Sequence, residues 1–254
     1  MIGPASFGEN RARNATMHIE DLHRYWQISQ LAAIAGCFHL VKVVGNVIDD
    51  EDGVIEHRVS QLVARRLLEH LEMEVRTAGL DHVPRFERHC VICNHASYLD
   101  WAVLLGYFPS PLRFIAKKEL LGVPVIGSYL KRRAVMIDRS QGRDALSAIR
   151  DGAADDQPWP ILLFPEGTRT PDGEMKPFKP GGIKVLAEAG LTMVPVGIWG
   201  TYEAFARHAR VIKTGSRLRM IIAEPVRPAD FGDDTAALAE EVARRIRATA
   251  AVSP

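Results

Sequence analysis

The spacing of hydrophobic residues changes near residue 84, and this change divides the chain into two regions. Upstream, apolar residues recur at helical spacing, which predicts helices over residues 17–48 and 56–79. The acidic segment DDEDG at 49–53 separates them. We therefore predict an N-terminal two-helix hairpin over residues 1–80, with an amphipathic second helix.

Downstream, short apolar runs alternate with segments of helical periodicity. The apolar runs predict strands at residues 90–93, 112–116, 134–137, 159–165, 194–200 and 218–226. Helices are predicted at residues 99–106, 119–131, 141–153, 180–190 and 235–250. This alternation is typical of the α/β class, so we predict a mixed central sheet flanked by helices over residues 81–254.

Residues 31–48, LAAIAGCFHLVKVVGNVI, raise the question of a membrane span. The segment falls short of the ~20 apolar residues that a spanning helix needs. It also contains His39, Lys42 and Asn46, whose polar side chains would be costly at the centre of a bilayer. We expect a helix that lies in the membrane interface or packs against the domain, and a peripheral or monotopic protein on the cytoplasmic side of the membrane.

The net charge of +1 means that any strongly charged surface must be local. Residues 112–150 contain nine basic and three acidic side chains, an excess suited to an anionic substrate or a membrane surface. A solvated helix face is the alternative, and for residues 131–133 the two interpretations are equally favoured. The basic residues are Arg113, Lys117, Lys118, Lys131, Arg132, Arg133, Arg139, Arg143 and Arg150. The chain has only three cysteines and no secretory signal is visible, which indicates a reducing compartment.

Candidate acid–base chemistry lies in the segment NHASYLD, residues 94–100, which follows a predicted strand and begins a helix. The imidazole of a histidine changes its charge near neutral pH, so His95 is suited to proton transfer. If the chain turns after the strand, Asp100 lies in the first helical turn and can fix the tautomer of that imidazole. A capping histidine followed by an ordinary acidic residue gives the same pattern, so the pair alone is a weak signal.

A second polar segment, FPEGTR at residues 164–169, ends another predicted strand. Arg169 carries a planar fork of donors that suits a phosphate. Gly167 permits a tight turn and a close approach of the backbone, and Glu166 would orient the loop or the polar groups of a substrate. The alternative is a strand followed by a turn with a surface ion pair.

Taken together, the segments NHASYLD, AKKEL…MIDR, FPEGTR and VPVGI resemble the motifs of the glycerolipid acyltransferases of the 1-acylglycerol-3-phosphate (lysophosphatidate) type. The resemblance covers about residues 85–200, and the four motifs in this order are highly specific. The two N-terminal helices are similar to the membrane-docking hairpin of bacterial members. Two positions depart from the family's pattern: Arg133 stands in place of a glycine, and Pro180 in place of the second lysine of Lys-Lys-Gly.

The resemblance implies a role for each matching residue. His95 and Asp100 would form the catalytic dyad, and Lys117 and Arg139 would hold the phosphate of the acceptor. The implied substrate-binding residues together are Asn94, Lys117, Arg139, Glu166, Gly167, Thr168 and Arg169.

The implied reaction is direct attack of a lysophosphatidate hydroxyl on an acyl thioester, which forms phosphatidic acid without an acyl-enzyme. Acyl-CoA or acyl carrier protein would be the donor, and no cofactor or metal is expected. Glycerol 3-phosphate or another lyso-lipid is the alternative acceptor.

The sequence also raises the alternatives of a metal site, a hydrolase and a lipid-binding protein. His89, Cys90, Cys93 and His95 are zinc-ligand types, yet positions i and i+3 of a strand face opposite sides of a sheet. A hydrolase would need a nucleophile elbow, and no G-x-S-x-G occurs. A non-catalytic lipid-binding protein would keep a basic face and a hairpin without needing a histidine–aspartate pair. No pattern predicts binding of nucleotides or nucleic acid.

Overall fold

The computed structural model describes residues 54–85, 87–118, 121, 130, 134–137, 142–155, 157–209 and 211–252. The predicted helix over residues 17–48, with its apolar segment, lies outside the described residues. So do residues 131–133, Arg139 and nearly all of the predicted helix at 119–131.

The described part of the chain contains seven strands and six α-helices, besides short 3-10 helices and loops. In chain order they are α1 (Val54–His70), β1 (Glu74–Ala78), β2 (His89–Cys93), α2 (Asp100–Tyr107), β3 (Arg113–Lys117), β4 (Ala134–Ile137), α3 (Gly142–Ala154), β5 (Ile161–Leu163), α4 (Pro180–Glu188), β6 (Thr192–Trp199), α5 (Thr201–Ala204), β7 (Arg217–Ile222) and α6 (Thr235–Ala248). Among the described helices, none has the combination of length and hydropathy that crossing a bilayer would require.

The seven strands form one mixed sheet in the order β1-β7-β6-β2-β5-β3-β4. Strand β2 lies between β6 and β5 and runs parallel to both, with Cys93 opposite Val196 and Cys90 opposite Ile161. Strands β3 and β4 extend the parallel part, whereas β7 runs antiparallel to β6 and pairs with β1 in parallel. The carboxyl ends of β2, β5 and β6 therefore meet at one side of the sheet, here called the carboxyl edge.

Helices cover both faces of this sheet. On one face, α1 and α2 bury Leu68 and Leu104 against the strands. On the other face, α3, α4 and α6 contribute Ile149, Leu186 and Val242 to a second apolar cluster. Truncating one such fully buried side chain to alanine typically costs ~2–5 kcal/mol, so both layers hold the sheet and its carboxyl edge in place. All six predicted strands are present, and the predicted mixed α/β fold is confirmed.

The prediction of one helix over residues 56–79 is wrong beyond His70. The helix ends there, Glu72 takes a positive φ of 56°, and Glu74–Ala78 form strand β1 against β7. Because β1 is an edge strand with exposed residues at two of its five positions, it lacks the apolar run by which the other strands were found. Helix α1 itself packs on α2, where Arg65 Nε donates to the carbonyl of Gly106 at 2.6 Å. The division of the chain at residue 80 stays a prediction.

Candidate active site

The loop that follows β2 is fastened to β6 by the side chain of Asn94. Its Nδ2 donates to the carbonyl of Ile198 at 2.9 Å, and its Oδ1 accepts from the amide of the same residue at 2.8 Å. The side-chain amide thus continues the β2–β6 pairing beyond Cys93, because it offers one donor and one acceptor as a backbone unit does. Asn94 is buried, and both ends of its amide are used within the protein.

Asp100 is the first residue of α2, and its side chain is completely buried. Oδ2 accepts from the amides of Ala96 at 2.7 Å and Ser97 at 2.9 Å, and Oδ1 accepts from the hydroxyl of Thr201 at 2.6 Å. Since each of these partners donates, the group functions only as an acceptor, as an ionised carboxylate does. The carboxylate therefore closes the loop back on the start of the helix.

Two contacts hold the imidazole of His95, one at a ring nitrogen and one at a face of the ring. Its Nδ1 lies 2.8 Å from Asp100 Oδ2, and because the carboxylate accepts, Nδ1 carries the hydrogen. The ring stacks on Phe164, with centroids 4.1 Å apart and an interplanar angle of 20°. Nε2 is left with its lone pair, and 23% of the side chain is exposed. A fixed tautomer, a fixed ring plane and partial exposure are what a general base requires.

The backbone of His95 is held by the loop that follows β5. Its amide donates to Glu166 Oε1 at 2.7 Å, and its carbonyl accepts from the amide of Thr170 at 2.9 Å. The other oxygen of Glu166 accepts from the amide of Lys176 at 2.9 Å. Burial raises the pKa of the Glu166 carboxyl, and the two backbone hydrogen bonds act in the opposite direction. Glu166 thus joins three segments of the site through backbone groups.

The same loop turns at Gly167 and then presents Arg169. Gly167 has a φ of 72°, a left-handed backbone conformation that favours glycine. The guanidinium carbon of Arg169 lies 3.4 Å from the centroid of the Tyr98 ring. Its Nη1 is buried without a hydrogen-bond partner among the described residues. A cation stacked on a ring, with a donor unused, is suited to an anion.

The structure brings together most of the residues that the sequence singled out. His95 contacts both Asp100 and Glu166, whereas Arg169 reaches the same loop through Tyr98. Thr168 lies half-buried in the loop after β5. Lys117 is the last residue of β3 and pairs with Ile137 of β4, so its backbone lies at the carboxyl edge. Arg139 lies outside the described residues.

Three residues of this site were not predicted from the sequence: Thr201, Phe164 and Tyr98. Thr201 reaches Asp100 from 101 positions away, because β6 lies beside β2 and the chain turns back at Gly200, where φ is 87°. No local pattern indicates that contact. An aromatic residue inside a motif, as Phe164 and Tyr98 are, was the available signal for the other two.

The two cysteines of β2 face opposite sides of the sheet, as predicted. Cys90 belongs to one apolar cluster and Cys93 to the other, and both are fully buried. Burial raises the pKa of both thiols, which keeps them protonated. Within the described residues, no group of three or more histidine, cysteine or acidic side chains is arranged to hold a metal ion.

A family model described as Acyltransferase matches residues 74–199, which include β1 to β6 and both loops of the site. The chain belongs to this acyltransferase family. This match, together with the relatives described next, confirms the resemblance to glycerolipid acyltransferases.

Relatives named 1-acyl-sn-glycerol-3-phosphate acyltransferase are similar to particular parts of the chain. A chloroplastic protein of Brassica napus is 30% identical over 177 residues, which are 66% of this chain and 48% of that protein. The Pseudomonas aeruginosa protein is 38% identical over 136 residues, which are 52% of this chain and 51% of that protein. The alpha protein of Mus musculus is 30% identical over 186 residues, which are 71% of this chain and 64% of that protein. The chain thus spans about half the length of several curated relatives that it matches.

Among solved structures, the 1-acyl-sn-glycerophosphate (LPA) acyltransferase PlsC of Thermotoga maritima shares the fold. The TM-score is 0.69 at 24% sequence identity, and the match covers 90% of this chain and 99% of that one. This likeness supports the mixed α/β architecture independently of the site residues.

Proposed function

We propose that this chain transfers a fatty acyl group from an acyl thioester to the free hydroxyl of a lysophosphatidate-type acceptor, which forms phosphatidic acid. The observation that carries the proposal is the 2.8 Å contact between His95 Nδ1 and the buried carboxylate of Asp100, within a chain of the acyltransferase family. The relatives' names supply the acceptor class, and acylation of that acceptor gives phosphatidic acid.

In the proposed step, Nε2 of His95 takes the proton of the acceptor hydroxyl as its oxygen bonds to the thioester carbonyl carbon. The carbon–sulfur bond of the tetrahedral intermediate then breaks, and the sulfur leaves with the bonding electron pair. The imidazolium returns its proton to that thiolate, which yields the free thiol and the new ester. Asp100 keeps the imidazole in the required tautomer and stabilises the imidazolium by its negative charge.

The nucleophiles of the loop itself do not suit a covalent route. Ser97 Oγ donates to the carbonyl of Phe205 at 2.7 Å and accepts from the amide of Leu99 at 3.1 Å, so the hydroxyl is engaged and buried. Cys93 is buried with its thiol kept protonated. These contacts favour direct transfer between substrates, without an acyl-enzyme.

The phosphate of the acceptor is proposed to bind Arg169. Its guanidinium is stacked on Tyr98, and its buried Nη1 lacks a partner in the described part of the chain. A phosphate oxygen that accepts from this donor removes the cost of leaving it buried without a bond. Thr168 is proposed to contribute beside it, and the resemblance adds Lys117 and Arg139.

Three other predicted substrate-binding residues are proposed to position the site. Both oxygens of Glu166 and both ends of the Asn94 amide are bonded to backbone groups of the protein. Gly167 permits the turn between Phe164 and Arg169. We therefore infer that Asn94, Glu166 and Gly167 act on the substrate through His95 and Arg169.

Because both substrates carry acyl chains, we propose that the reaction takes place at a membrane surface. We propose the cytoplasmic side, with the protein bound there as a peripheral or monotopic one. Helix α1 supports this part of the proposal. Its exposed positions include Val54 and Leu62, 47% and 54% exposed, beside the exposed cations Arg58 and Arg66. Apolar side chains bordered by cations suit the interface of an anionic bilayer.

A direct test is an acyl-transfer assay with a panel of acceptors. Purified protein is given acyl-CoA or acyl carrier protein as donor, with lysophosphatidate, glycerol 3-phosphate or lysophosphatidylcholine as acceptor, and the lipid products are measured by mass spectrometry. We expect phosphatidic acid from lysophosphatidate at the highest kcat/KM. Vesicle binding without turnover for any acceptor would instead identify a lipid-binding protein, and a preference for glycerol 3-phosphate would overturn the proposed acceptor.

A further inference from the structure

A groove of about 510 Å³ opens at the carboxyl edge, between β6, β7 and the short helix α5. Its inner wall includes Asn94 and Ala96 of the loop that follows β2, here called the catalytic loop. It also includes Thr201, the first residue of α5. Ala96 adjoins His95 along the chain, and Thr201 donates to Asp100. A ligand in this groove therefore lies against the catalytic loop.

The outer part of the groove carries an excess of positive charge. It is lined by Lys213, Arg217 and Arg219, with Glu203 as the acidic residue. Lys213 has no ion-pair partner among the described residues, and the carboxylate nearest to the 86%-exposed Arg217 is that of Glu74 at 3.9 Å. Arg219 already donates to the carbonyl of Val252 at 2.7 Å. Lys213 and Arg217 are thus the two lining cations whose side chains make no described hydrogen bond, so both can donate to an anion.

This groove is separate from the Arg169 site. Neither Arg169 nor Tyr98 lines it, although both sites adjoin the loop that holds His95. The proposed reaction has two substrates, and both must approach the same imidazole. If Arg169 binds the phosphate of the acceptor, the second group of cations, on another side of the loop, is suited to an anionic group of the thioester donor.

We propose that this groove binds the phosphopantetheine arm of the acyl thioester donor, with the phosphate at Lys213 and Arg217 and the thioester directed to the catalytic loop. The inference rests on the proposed function and names the donor subsite within it. Coenzyme A and acyl carrier protein carry the same arm, so the shared chemistry is a neutral chain of amides that ends in a phosphate. Cations at the rim of a groove capture such an anion and fix its orientation.

The test uses the full chain with Lys213→Glu and Arg217→Glu combined. Both side chains are exposed, so the double variant is expected to fold as the wild type does. Three donors that carry the same acyl chain are compared at saturating lysophosphatidate. They are acyl-CoA, the acylated acyl carrier protein, and acyl-pantetheine, which lacks the phosphate. We expect the ratio of kcat/KM for acyl-CoA to that for acyl-pantetheine to fall about tenfold or more, with a similar fall for acyl carrier protein. The KM for lysophosphatidate stays as in the wild type.

A matched control is Lys184→Glu, a charge reversal of another exposed lysine that lies outside this groove. It should leave all three donors unaffected. A fall for acyl-CoA alone would overturn the proposal, because acyl carrier protein carries the same arm and phosphate; the anion bound would then belong to the nucleotide part of coenzyme A. An unchanged ratio for both phosphate-bearing donors overturns the proposal, and so does an equal loss for acyl-pantetheine. Weaker binding to phosphatidylglycerol vesicles with an unchanged ratio also overturns it, because the groove would then hold a lipid headgroup.

Calorimetric binding of coenzyme A separates this inference from the proposed function, since it needs no turnover. We expect the Kd of the double variant to rise about tenfold, and the difference from the wild type to shrink at high salt. If coenzyme A binds through these residues but no acyl group is transferred, the proposed function fails and the subsite stands. If transfer proceeds and the Kd is unchanged, the subsite fails alone.

Discussion

Arg113 and Arg169 carry the same guanidinium group at opposite ends of the sheet, and the protein uses them differently. Arg113 begins β3, where its Nη1 donates to both carboxylate oxygens of Asp155 at 2.7 and 2.6 Å and its Nη2 donates to the carbonyl of Gly152. Those groups lie at the carboxyl end of α3, so the cation caps that helix. Each guanidinium has one buried nitrogen without a described hydrogen-bond partner, Nε of Arg113 and Nη1 of Arg169. Arg169 differs because it stacks on Tyr98 and pairs with no carboxylate among the described residues.

The acidic residues at the two ends differ in the same way. Asp155 pairs with a cation and is 40% exposed, whereas Asp100 is completely buried and accepts from neutral donors and from His95. One end therefore uses its charges to stabilise its own helix, and the other keeps a base and a cation available for a ligand. A count of charges along the sequence cannot make this distinction, because it depends on where the donors point.

The largest expected effect is that of Asp100→Asn. The amide would turn an N–H group towards donors that need an acceptor, and the imidazole would lose its tautomer control. We expect kcat for acyl transfer to fall ~10²–10⁴-fold. The matched variant Asp155→Asn, at the other end of the sheet, should retain turnover within roughly twofold of the wild type because it lies far from the chemistry. Similar kcat values for the two variants would contradict the comparison.

Arg169→Ala is expected to act mainly on the acceptor. Loss of a charge-assisted contact to phosphate should raise the KM for lysophosphatidate ~10–100-fold, with a smaller change in kcat. Steady-state kinetics with varied lysophosphatidate provide the measurement. Arg113→Ala serves as the control, since its KM should match the wild type if it remains folded. An unchanged KM in the Arg169 variant would show that its unpaired donor serves another purpose.

Arg113→Ala should instead lower stability. The change removes a mostly buried cation and leaves the last carbonyls of α3 without their cap, which we expect to cost about 2–3 kcal/mol in the free energy of unfolding. Urea unfolding followed by circular dichroism measures this. Arg169→Ala should cost less, because its guanidinium makes no described hydrogen bond through Nη1. A larger loss of stability in Arg169→Ala than in Arg113→Ala would contradict the comparison.

The smallest effect is expected for Glu166→Gln. A glutamine keeps one acceptor for the amides of His95 and Lys176 but turns an N–H group towards one of them, so kcat should fall by about fivefold to tenfold. Burial raises the pKa of Glu166 in the folded state, so this group contributes most to stability below its unfolded pKa and loses that contribution as pH rises through the folded value. The stability of the wild type relative to the glutamine variant should therefore decrease with rising pH. A difference that increases with pH would contradict the assigned direction.

Much of the fold could be predicted because its strands are buried and apolar. Segments such as Ile161–Leu163 are recognisable by composition, and the acidic residue that begins α2 marks the start of a helix. Strand β1 could not be found in this way, because an edge strand with Glu74 and Arg76 exposed carries no such run. The helical spacing before it simply continued to Val75.

The residues of the site differ in the same way in how well the sequence predicts them. His95, Asp100 and Glu166 lie in motifs, and their direct contacts agree with that grouping. Thr201 could not be predicted, because its bond to Asp100 depends on the pairing of β6 with β2 rather than on any nearby residue. The structural role of Arg113 could not be predicted for the same reason, because its partners at the carboxyl end of α3 are 39 and 42 positions away.

The central claim is that His95 takes the proton of the acceptor, and His95→Ala tests it most directly. The measurement is the initial rate of phosphatidic acid formation from lysophosphatidate and an acyl thioester, with circular dichroism to verify the fold. We predict a rate ~10²–10⁴-fold below that of the wild type, with an intact fold. Turnover near the wild-type rate in a folded His95→Ala protein would contradict the account.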